Sequence, residues 1–159
     1  MNQQEFIQIL MSAAGSLGFS VLYNVRGRRL FLEALGGGLS WAMFLLLEPV
    51  LSSVTIRYFL CAAFAATYAE ILARKLKTPA TTFLIPAIIP HIPGGALYQA
   101  MQLAVNNNLS ASMEQAFYTA KLALALAMGT IAVLSIFNIY NVILRHIDKG
   151  GLENEIDDT

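Results

Sequence analysis

The chain has 159 residues, of which 57% are hydrophobic and 13% charged, with a mean hydropathy of +0.60 and no net formal charge. That composition excludes an ordinary soluble domain and defines an all-α integral membrane protein whose environment is the lipid bilayer. The ten Lys and Arg form no basic patch interleaved with aromatics, so no nucleic-acid partner is expected. The single cysteine, Cys61, lies in an apolar run, which rules out an internal disulfide and assigns it to packing.

Residues Met1 to Glu5 lack the basic region of a cleavable signal peptide, so the first apolar run, residues 5 to 23, is expected to be a retained span. Ser12, Ser16 and Ser20 recur in it at four-residue spacing, and Ala14 precedes Gly18 by four, a pattern that lets helices approach closely. The basic loop Asn24 to Arg29 follows. A second run, 30 to 49, contains Gly36-Gly37-Gly38, read as a close-contact or hinge point, and ends in Glu48-Pro49. The third, 53 to 73, is packed with small residues from Cys61 to Ala69 and leaves through Arg74, Lys75 and Lys77. A segment at 79 to 105 is interrupted by prolines, a polar loop covers Asn106 to Gln115, and the longest run covers 116 to 144. The pattern predicts about five transmembrane helices, the fourth broken, in a single polytopic membrane domain (1–145) with a polar cytoplasmic tail (146–159).

Orientation follows from Lys and Arg, which are enriched in cytoplasmic loops. With the N-terminus outside and five crossings, Arg26, Arg28, Arg29, Arg74, Lys75, Lys77, Arg145 and Lys149 all fall on the cytoplasmic side, and only Arg57 falls outside. A re-entrant 79–105 segment would force Arg145 and Lys149 outside, so a full crossing is predicted.

Thr78 to Tyr98 carries four of the five prolines, one of the two histidines and a Gly-Gly pair. Proline deletes a helical hydrogen bond and clashes with the preceding turn, so Pro86, Pro90 and Pro93 cannot share one straight helix. Opened backbone inside a bilayer survives only where protein or a water-filled cavity satisfies it. Two half-helices are expected, one ending near Ile85 and one starting near Pro93, with Pro86 to Gly95 lying roughly 10 to 24 Å from the cytoplasmic end, around the midplane. At the second start Gly94 and Gly95 leave amides unobstructed, suited to a carboxylate. The alternative is a proline kink whose freed groups neighbouring helices satisfy. His91 either takes a proton or an anion, or bonds as a neutral imidazole to a freed carbonyl. Thr78, Thr81 and Thr82 either line the cytoplasmic approach or bond back to their own helix.

Glu33 lies four after Arg29 and Glu70 four before Arg74, and both read as interfacial ion pairs. Lys121, five residues inside the last span, either snorkels or contacts a substrate carboxylate. Ser135, Asn138 and Asn141 recur at three-residue spacing and read as interhelical glue or as pore lining. No nucleophile with an adjacent base, metal-ligand cluster or phosphate loop occurs, so neither an enzyme nor a cofactor or metal site is expected.

The string from Thr78 to Tyr98, supported by Gly15 to Arg29 and the Asn-rich last helix, resembles the threonine/serine exporter family over most of the chain. The resemblance is to the smaller membrane half, which is fused in some members and a separate subunit in split forms, including a succinate exporter. It implies gradient-driven export of threonine and serine or a dicarboxylate. It also implies a partner membrane subunit supplying the N-terminal half, hence an oligomer. The substrate-binding set on this reading is Thr82, Pro86, Pro90, His91, Pro93, Gly94, Gly95, Tyr98, Lys121 and Asn138. The competing expectation is a scaffold or assembly subunit that does not transport.

Overall fold

A computed structural model describes the backbone of residues 3–157 and the side chains of residues 3–143. Helices α1 (Gln3–Leu22), α2 (Arg28–Leu47) and α3 (Val54–Leu76) are followed by a short α4 (Thr81–Ile88), a 3-10 turn (Ile89–His91), α5 (Gly94–Val105) and a long α6 (Leu109–Asp157). Among the described residues four helices are long and apolar enough to cross a membrane: α1, α2, α3 and the Leu109–Ile143 part of α6, with Thr81–His91 a shorter apolar stretch. The all-α class and the break in the fourth apolar segment are as expected. The side chains of Arg145 and Lys149, and of the polar tail, lie outside the described residues.

Helix–helix contact is built on residues without bulk. Gly36, Gly37 and Gly38 are all buried, and each faces a different neighbour: Tyr68 of α3 and Ala87 of α4, Ser16 of α1, and Ala13 of α1. On α3, the stripe Cys61, Ala62, Ala65, Ala66, Ala69 and Ala73 is buried, which lets α6 approach until Gly129 lies against the Phe59 carbonyl and the Ala62 methyl. Phe83 and Leu84 of α4 close the core against Ala66 and Ala69, with Val133 and Leu134 of α6 packed on them.

The α1–α2 loop, turned by Asn24 and Gly27 at positive φ, lies at the same end as Lys77, whose left-handed conformation closes α3. This end carries Arg26, Arg28, Arg29, Arg74, Lys75 and Lys77 and is called the basic end below. At it Arg74 pairs with Glu70 at 3.7 Å, as its spacing suggests, and stacks on Phe137 and Tyr140 of α6. Helix α6 therefore runs parallel to α3, meeting Thr55, Ile56 and Phe59 with Lys121 and Met128 at the far end.

Two expectations for the second half are corrected. The last helix starts at Leu109, not 116: the Asn108 side chain caps the Ala111 amide at 3.3 Å, and the polar stretch to Gln115 is helical. The half-helix α4 runs through Pro86 to Ile88, because Pro86 forfeits only the bond to Thr82. Its continuation, α5, runs on toward the far end, antiparallel to α6. It packs on the first turns of α6, tied by Ser112 Oγ to Ala100 O (2.8 Å) and Gln115 to Gln99 (3.0 Å).

Candidate functional site

The break begins at mid-depth. An intact helix would satisfy the Pro86 carbonyl with the amide of residue 90, but Pro90 has none. Ser16 of α1 donates its hydroxyl to that carbonyl instead, at 2.8 Å, and both residues are buried. The serine reaches it because Gly37 stands between: a Cβ on Gly37 would collide with the Ser16 hydroxyl and lie 3.4 Å from the Pro86 carbonyl. Ser12 in turn donates to the Gly37 carbonyl at 2.7 Å. The small face of α1 is thus a hydrogen-bonding face for the opened segment.

From Pro86 the chain rises toward the far end. His91 is 1% exposed, with Nδ1 3.4 Å from Ser40 Oγ and no partner for Nε2. Its ring sits in an aromatic box, with centroids 5.5 Å from Trp41, 5.8 Å from Phe44 and 6.0 Å from Tyr58. The Arg57 guanidinium lies 4.8 Å over the outer wall, Phe44, and reaches Glu48 at 3.7 Å. Arg57, four residues into α3 and only 8% exposed, is a wall of this box rather than a free surface cation. His91 lies between Ser40, just past the centre of α2, and Tyr58, five residues into α3. The rings meet the imidazole in tilted and edge-to-face contacts, the arrangement aromatic side chains prefer in a packed interior.

Pro93 caps α5, and the Gly94 amide is not free: it donates to the Ile92 carbonyl at 2.7 Å. The amides of Gly95 and Ala96 have no acceptor among the described residues. Gly94 and Gly95 are exposed, a Cβ at either meets nothing within 4 Å, and Tyr98 is exposed on the same helix.

At the basic end a cleft of about 250 Å³ opens between α1, α2 and α4, lined by Phe19, Tyr23, Val25, Glu33, Thr81, Thr82, Ile85 and Pro86. Glu33 is 0% exposed, and neither carboxyl oxygen has a hydrogen-bond partner. The interfacial pair with Arg29 does not form: Arg29 is exposed, while Glu33 turns inward.

The ten residues expected to bind substrate therefore fall in separate places. Thr82 and Pro86 line the cleft; Pro90, His91 and Pro93 form the break and its box; Gly94, Gly95 and Tyr98 are exposed on α5. Lys121 is exposed in a groove with Thr55, Ile56, Phe59, Leu124 and Met128, and Asn138 is exposed near the basic end of α6. Sequence reasoning missed Glu33, the serine partners of the break and the aromatic walls of His91. A signal for Glu33 existed: residues 33, 36, 37 and 40 share one helical face, and the glycines on it mark that face as buried.

A multi-pass helical bundle built around a broken apolar segment is an architecture that membrane transport proteins use. The family model described as threonine/serine exporter, ThrE, matches residues 8–136. The chain belongs to that family of transporters and is not an enzyme. No curated protein and no solved structure matches it.

Proposed function

We propose that the chain is a membrane subunit of a secondary exporter of small carboxylate metabolites, threonine and serine or a dicarboxylate such as succinate, working with a second membrane subunit. The observation that carries this reading is the backbone opening between Ile88 and Gly94, on the segment whose preceding half-helix lines, through Thr82, Ile85 and Pro86, a cleft at the basic end. Cationic side chains around a low-dielectric opening raise the local concentration of anions. The substrate carboxylate is then held at the first turn of α5 by the Gly95 and Ala96 amides, with Tyr98 beside them. Support for a partner comes from the α1 edge of Ala14, Gly15 and Gly18, all exposed, where a Cβ on either glycine meets nothing within 4 Å. The proposed orientation has the basic end in the cytoplasm of a bacterial cell and the N-terminus outside.

The test is metabolite release. Cells expressing the chain together with its partner subunit should release threonine, serine or succinate faster than cells expressing either alone. Unchanged release of all three, with both proteins present in the membrane, would refute the reading.

A further inference from the structure

Glu33 differs from every other carboxylate among the described residues: it alone is fully buried, and both its oxygens lack a hydrogen-bond partner. Each neighbour able to help is committed elsewhere or out of reach. From α1, Ser20 is the side-chain hydroxyl within reach of the carboxyl, but its proton goes to Ser16 O of its own helix at 2.8 Å, and Tyr23 lines the cleft wall. From α3, the Tyr68 hydroxyl donates to Leu32 O at 2.7 Å. From α2, Arg29 acts on the carboxyl only through space. From α4, Thr81 and Thr82 face the cleft, and the Thr82 carbonyl has lost its helical donor because residue 86 is proline. A bare carboxylate so placed, out of water and unpaired, is strongly disfavoured. Oxygen acceptors predominate around it, so the missing component is a positive charge.

We propose that Glu33 is the seat of a single exchangeable monovalent cation, a proton or a sodium ion, reached through the cleft from the basic end. Pro86 is common to both features: it lines the cleft, and its carbonyl takes the Ser16 hydroxyl on the other side. Occupancy of Glu33 therefore bears on where α4 sits against α1 and α2, and hence on the geometry of the break. What the cation does rests on the exporter reading; whether it binds does not.

Two experiments separate these. The first treats the full-length protein, in lipid nanodiscs, with dicyclohexylcarbodiimide, which adds its whole mass to protonated carboxyls in apolar surroundings, and reads the adduct by peptide mass spectrometry. Glu33 should be labelled, Glu48 and Glu114 should not, and the label should be lost as pH rises. Protection by sodium chloride but not choline chloride at constant pH identifies sodium; insensitivity to both identifies the proton. Absence of label on Glu33 at every pH, or labelling equal to that of the exposed glutamates, overturns the site.

The second reconstitutes the chain with its partner subunit. Glu33→Gln should keep substrate exchange at equal concentrations and lose accumulation driven by a proton or sodium gradient, with Glu33→Asp intermediate. Gradient-driven accumulation that survives Glu33→Gln, or loss of exchange as well, overturns the coupling role. A wild-type complex that moves no substrate counts against the exporter reading, while the labelling still decides the cation site.

Discussion

The Ser16 hydroxyl and the Pro86 carbonyl meet at 2.8 Å across 70 residues of sequence, and the bond exists because Pro90 has no amide to offer. Removing the donor leaves a buried carbonyl unsatisfied, so Ser16→Ala should cost about 1 to 3 kcal/mol. Pro90→Ala restores the amide four residues on, and the double variant Ser16→Ala/Pro90→Ala should lose less stability than Ser16→Ala alone. Thermal denaturation in mild detergent checks both.

Glycines in this chain divide into two kinds. Gly37→Ala drives a methyl into the Ser16 hydroxyl and should destabilise by roughly 1 to 3 kcal/mol, with α1 displaced from α2. Gly95→Ala meets open space within a helix, where it should be neutral or stabilising by up to about 1 kcal/mol. The contrast is read from melting temperatures of the two variants under one condition. A Gly37→Ala protein as stable as wild type would mean that α1 does not pack as described.

Trp41 is the chain's single tryptophan, and its ring lies 5.5 Å from that of His91. A protonated imidazole quenches a neighbouring indole, so emission should fall on acidification, and His91→Ala should remove the fall. Steady-state fluorescence between neutral and acid pH decides it. A decline that persists in His91→Ala would assign the quenching to another group.

Much of the fold was legible because lipid-facing helices are long apolar runs, and because prolines so closely spaced must open a backbone. What the runs could not give is rotation and direction. Glu33 and Arg29 share the i,i+4 spacing of a surface pair, yet the rotation that buries Gly36, Gly37 and Ser40 carries Glu33 inward with them. The proline string announced a break at His91 but not that α5 would pack onto α6. The length of the last run held that clue: residues 116 to 144, at about 1.5 Å each, already span roughly 43 Å, well over a 30 Å hydrocarbon core.

Cys61 is the sole cysteine and is wholly buried, so Cys61→Ala provides a background for single-cysteine labelling. With the basic end in the cytoplasm, cysteines at Arg26 and Lys77 should react with membrane-impermeant maleimide only after the cells are opened. A cysteine at Asn107 should react in intact cells. Identical behaviour at Lys77 and Asn107 would sink the crossing of residues 79 to 105.

The central claim, that the break from Ile88 to Gly94 and the α5 start beyond it form the substrate site of an exporter, is tested most directly by one transport measurement. Labelled threonine, serine or succinate is followed out of liposomes containing the chain with its partner subunit, and wild type is compared with Gly94→Val and Gly95→Val. Because a Cβ at either position touches nothing within the chain, both variants should assemble normally. Export should then be lost through obstruction of the Gly95 and Ala96 amides. Export rate and substrate affinity equal to wild type in both assembled variants would contradict the account and move the carboxylate site to Lys121 and the Asn138 face of α6.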